Sequence, residues 1–131
     1  MSFSPVESFA LDHLRFEDKN SFQLQKLPPQ IHEQSFSSLA RFDLNGDHID
    51  EIILQNQIND ISNMYQIYGI NDKDAILLGK ITAQKIMISY DAKYGVRSIL
   101  QFTNGDNDYD YDIYEWDAVS SQYKAIKRGA E

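Results

Sequence analysis

From residue 36 to residue 127 the chain is a succession of short runs rich in Ile, Leu, Tyr and Phe, separated by clusters of turn-forming residues. Runs of about 4–8 residues suit strands, whereas helices need about 10–12. The spacing predicts strands over 36–42, 51–56, 64–70, 75–81, 85–90, 97–103, 109–116 and 122–127. Turn signals fall between them at Asn71 to Asp74, Asp91 to Gly95, Asn104-Gly105 and Asp117 to Ser121. Asn-Gly is the strongest hairpin signal, because both residues tolerate positive φ. Short strands joined by short polar turns can only reverse direction at each turn. The expected fold is therefore mainly β, an antiparallel meander of about 7–8 strands.

The N-terminal part reads differently. Ser4 can cap a helix, Pro5 suits the first helical position and Glu7 completes a capping box. Val6, Phe9, Ala10 and Leu14 follow at helical spacing, which predicts a short N-terminal helix over about residues 5–14. Phe22, Leu24 and Leu27 then alternate as in a strand, and Pro28-Pro29 ends that run. The 131 residues form one expected domain, 1–131, with no internal linker.

Charge narrows the partners. Twenty acids oppose twelve bases, for a formal net charge of -8. A nucleic-acid backbone or an anionic membrane surface wants a basic stripe, and none is visible, so neither is an expected partner. The absence of cysteine excludes disulfides and thiolate metal sites. His13, His32 and His48 have no zinc-binding spacing. The six glycines form no phosphate-binding or nucleophile-elbow pattern.

One segment carries chemistry: Asp43-Leu44-Asn45-Gly46-Asp47-His48-Ile49-Asp50-Glu51, followed by the apolar run 52–54. Calcium takes about six to eight oxygen ligands. Asp43, Asn45 and Asp47 stand at alternate positions where a tight loop turns side chains inward. Ile49 would offer its backbone carbonyl, and Glu51 would close the shell. Three carboxylates held this close would repel one another without a cation. An EF-hand needs an acid at its twelfth loop position, which here is Leu54, and flanking helices where this chain has strands. The expected metal ligands are thus Asp43, Asn45, Asp47, Ile49 and Glu51, with Ca2+ as the bound ion.

The stretch DLNGDHIDEIIL resembles the calcium loop of FG-GAP/VCBS-type repeats, D-x-[DN]-G-D-G-x-x-[DE] before an apolar strand. Tyr114, Trp116 and Asp117 are similar to the downstream aromatic strand of single domains of this type. The resemblance implies a structural calcium ion within a small β-domain, and a location at the cell surface or outside the cell. Two positions depart from the pattern. His48 replaces the usual Gly, where the backbone often needs positive φ, and Glu51 replaces the shorter Asp. A chain of 131 residues cannot build a propeller of many blades, so the propeller function of the family is not implied.

A second acidic group, Asp106, Asp108, Asp110 and Asp112, alternates with Tyr109, Tyr111 and Ile113. On a strand this sets acids on one face and aromatics on the other: a solvated face, a second, weaker cation site or an acidic binding face. With Tyr114 and Trp116 nearby, it suggests aromatic anchors rimmed by acids, suited to a basic protein partner. The expected function is a non-enzymatic, exported, protein-binding module, an inhibitor or immunity-like protein, with Met1 standing in place of a removed signal segment. The alternative is an exported hydrolase that works through carboxylates no motif reveals.

Overall fold

The computed structural model describes residues 11–12, 14–21, 27–93, 95–103 and 111–126. Among the described residues, ten strands form two antiparallel five-stranded sheets. The first sheet holds, in spatial order, β2 (Glu17–Asp18), β3 (Ser38–Phe42), β4 (Glu51–Asn59), β5 (Ser62–Asn71) and β6 (Asp74–Ala83). The second holds β1 (Leu11–Asp12), β7 (Lys85–Lys93), β8 (Val96–Phe102), β9 (Tyr111–Asp117) and β10 (Gln122–Ile126). β2 to β6 and β7 to β10 each run as a meander of consecutive strands, while β1 joins the second sheet beside β7 by a crossover, and the mainly β antiparallel architecture expected from the spacing is present.

The chain changes sheets at Gln84, with no Gly or Pro to mark the place. Hydrogen bonds fix this corner. Gln84 N–H donates to Phe102 C=O at 2.8 Å, and its own carbonyl accepts from Asn63 Nδ2 at 3.1 Å. Ala83 and Ile86, on either side, both enter the same core.

Alternation along β4 sets what lies between the sheets. Glu51 and Ile53 point inward, while Ile52 and Leu54 point to the opposite face. Ile53 and Ile67 from the first sheet meet Ile88 and Ile99 from the second, all fully buried. Burial at this level stabilises by about 1.5–3 kcal/mol per side chain. The outer face of the first sheet is covered in turn by α1 (Pro29–His32) and its flanks, where Leu27, Ile31 and Phe36 pack on Leu39, Leu54 and Tyr68. Both faces of β4 are therefore buried, which explains a continuous apolar run in an antiparallel strand.

Glutamines occupy backbone groups along β6, an edge strand of the first sheet. Gln30 accepts from Ala75 N–H at 3.0 Å, Gln122 donates to Leu77 C=O at 2.7 Å and Gln101 donates to Thr82 C=O at 2.6 Å. Side chains thus occupy groups that would otherwise template pairing with another chain. The sandwich is tight here. A Cβ at Gly79 would stand 3.1 Å from Cβ of Tyr123 on β10.

The N-terminal helix expected over 5–14 does not extend to its expected end. Leu11 and Asp12 pair with Ile88 and Ser89 as strand β1, and residues 5–10 lie outside the described residues. The strand expected around Phe22 and Leu24, and the Asn104-Gly105 turn, also lie outside them. The short helix α1 was not expected. Pro28-Pro29 reads as a stop for the preceding run, yet Pro29 also suits the first position of a new helix.

Candidate metal loop and adjoining cleft

Phe42 and Glu51 face each other across the β3–β4 ladder, and residues 43–50 close the loop between them. The Asp43 carboxylate organises the turn. Its Oδ1 accepts the Gly46 N–H at 2.9 Å and its Oδ2 accepts the His48 N–H at 2.9 Å. Further on, Asn45 Oδ1 accepts from Asp47 N–H at 3.3 Å, and Asp47 Oδ1 accepts from Ile49 N–H at 2.9 Å. Gly46 has φ 74° and His48 has φ 67°, so the chain twice enters the left-handed region. The position where the calcium-loop pattern has Gly thus adopts the backbone that Gly would favour. Burial raises the Asp43 pKa, but amides of His48, Gly46, Asp47 and Asn45 outweigh it and hold the carboxyl below its ordinary value.

Two residues anchor this loop to the core. Leu44, an apolar residue among acids, is 1% exposed and sits between the sheets. Its carbonyl accepts the Arg97 N–H from β8 at 2.8 Å. Its N–H donates to Glu51 Oε1 at 2.6 Å. Glu51 follows the inward parity of β4 and is only 4% exposed. Burial is the main cause that raises its pKa from 4.5 to about 7, with Asp47 and Asp43 adding repulsion and the Leu44 amide opposing. Burial and the neighbouring Glu51 likewise push the Tyr123 hydroxyl upward, while Arg97 opposes. That hydroxyl donates to the Arg97 carbonyl at 2.8 Å.

The expected ligands are therefore arranged in two levels. Asp43, Asn45 and Asp47 wind around the turn, Ile49 projects a half-exposed side chain, and Glu51 is recessed beneath. Among the described residues, no three His, Cys, Asp or Glu side chains are gathered as a metal-holding group. His48 serves as a turn residue, with φ 67°.

Beside the loop, between the sheets, lies a cleft of about 170 Å³. Asn45, Asp47, Glu51 and Asn71 are its polar lining. Ile76 and Leu78 of β6, with Trp116 of β9 and Tyr123 of β10, form the apolar walls. Trp116 is half-buried and meets Tyr123 edge-on, with ring centroids 5.6 Å apart. It is both core packing and cleft wall.

Sequence reasoning missed Arg97 and Tyr123, which carry no local motif. Leu44 did leave a signal, since an isolated Leu inside an acidic loop needs a place to bury. Of the second acidic group, Asp112 is exposed on β9, and Asp106, Asp108 and Asp110 lie outside the described residues. Compared with known proteins, no family model, no curated protein and no solved structure matches the chain.

Proposed function

We propose that the domain binds calcium through residues 43–51 and works outside the cytosol as a non-enzymatic module that holds a basic protein partner, in the manner of an inhibitor or immunity protein. The observation that carries this reading is the loop itself. Oxygen-bearing side chains alternate around a turn whose sixth position, His48, has positive φ. All the side-chain donors are oxygens, which suits a hard cation. Glu51 would join through a side-chain rotation away from Leu44 N–H or through a bridging water. A recessed, longer acid of this kind favours weak binding, and weak calcium sites are useful where calcium is millimolar, outside the cytosol. The net charge of -8 supports a basic partner.

Thermal unfolding with calcium and with chelator tests the metal. Calcium at a hundredfold excess over its dissociation constant stabilises by about 2.7 kcal/mol, which for a chain of this size is about 10 °C in Tm. Asp47→Ala should remove the difference. Identical melting temperatures in both conditions, with no heat of binding by calorimetry, would end the proposal. A hydrolase remains as a second reading on one observation, a carboxylic acid with pKa about 7 at the wall of a cleft. Turnover of chromogenic glycosides or esters that is lost in Glu51→Gln would establish it, and an undiminished rate in that variant would sink it.

A further inference from the structure

The cleft beside the loop has the wrong size for most small-molecule ligands, which occupy about 300–1,000 Å³. Its 170 Å³ suit one long side chain. Its lining is largely apolar, with Ile76 still 49% exposed, and it includes the carboxylates of Asp47 and Glu51. Glu51 is nine-tenths buried and lines the cleft. Its Oε1 accepts the Leu44 N–H at 2.6 Å, which fixes the carboxyl at the cleft. A largely apolar cleft that contains a buried carboxylate matches an amphipathic cation, whose methylene stem packs while its head is paired.

We propose that this cleft receives a lysine or arginine side chain of the protein partner, with the stem against Ile76, Leu78 and Trp116 and the cationic head against Asp47 and Glu51. The inference rests on the reading of the domain as a module for a basic partner, and it names the contact. The net charge of -8 draws such a partner in over long range, and the Trp116 ring adds attraction for the cation close by. Because Asp47 and Glu51 are also the carboxylates assigned to calcium, the ion and the cationic head compete. Calcium thereby becomes a regulator of partner binding.

Trp116 is the only tryptophan, so its fluorescence reports on the cleft directly. The probes are butylammonium and butylguanidinium, with butanol as the uncharged match. Both cations should change Trp116 emission saturably, with half-saturation in the roughly millimolar range expected of so few atoms, and butanol should not. Asp47→Asn keeps an oxygen for the Ile49 N–H and should fold normally. It should raise the half-saturation at least about tenfold, the loss expected when a charged partner is removed. Ile76→Ala, at an exposed position, should weaken binding of the same cations by a smaller factor. Equal responses to butanol and butylammonium, or no effect of Asp47→Asn, would overturn the proposal. Saturating calcium should move the cation curve to higher concentration. If calorimetry shows calcium bound and the curve does not move, the shared-carboxylate claim is wrong. If calorimetry shows no calcium and the cation curve is intact, the calcium reading falls while the cleft assignment stands.

Discussion

Replacing Glu51 with Gln should make the domain more stable at pH 8 in the presence of chelator, although the change removes a charged residue. Folding places this carboxyl between the sheets, 4% exposed and near Asp43 and Asp47, and raises its pKa from 4.5 to about 7. Below pH 4.5 the acid is protonated in both folded and unfolded chains and its titration has no effect. As pH rises from 4.5 to 7, the unfolded chain releases the proton first, so stability falls, and above 7 the loss is complete. At about 1.4 kcal/mol for each tenfold change in proton affinity, the rise amounts to about 3 kcal/mol at most. The Gln amide keeps an oxygen for the Leu44 N–H but must hydrate its own NH2 from the cleft, at a cost of about 1 kcal/mol. The expected net gain at pH 8 is therefore about 1–3 kcal/mol, read from urea unfolding of both proteins between pH 4.5 and 8. The gain should shrink to nothing or reverse at pH 4.5. Other titrating groups cancel in the difference, so a difference that is flat across this range would show that Glu51 does not carry a raised pKa. On the proposed calcium reading the order should change when the ion is added, because an amide is a weaker ligand than a carboxylate.

Two other substitutions test the loop. His48→Gly should stabilise by up to about 1 kcal/mol, because φ 67° is strained for His and free for Gly, and chemical denaturation should show it; a loss of more than that would mean the His48 side chain holds the turn. Leu44→Ala should cost about 2–5 kcal/mol by leaving a core cavity. It should also weaken calcium binding in calorimetry, because Leu44 ties the turn to Arg97 and Glu51; unchanged affinity would mean that the turn holds its shape without this anchor.

From residue 36 onward the sequence by itself determined the local structure. Alternation and turn chemistry act between near neighbours, so the strand runs from 36 to 127 and the loop at 43–51 could be read from residue spacing alone. The left-handed backbone at His48 falls where the calcium-loop pattern that the segment resembles has Gly. Only the tertiary structure decided that these strands split into two sheets at Gln84, a position with no turn residue. The corner is made by hydrogen bonds from Asn63 and to Phe102, each about twenty residues away. The same holds for Glu51. Its spacing marks it as the closing ligand of an exposed loop, but strand parity on a sheet covered on both faces sends it into the core beside Tyr123. The cleft joins residues from the loop, β6, β9 and β10, which no sequence window contains together. Spacing fixes which way a side chain leaves its strand, and only packing of one sheet on another fixes what it meets there.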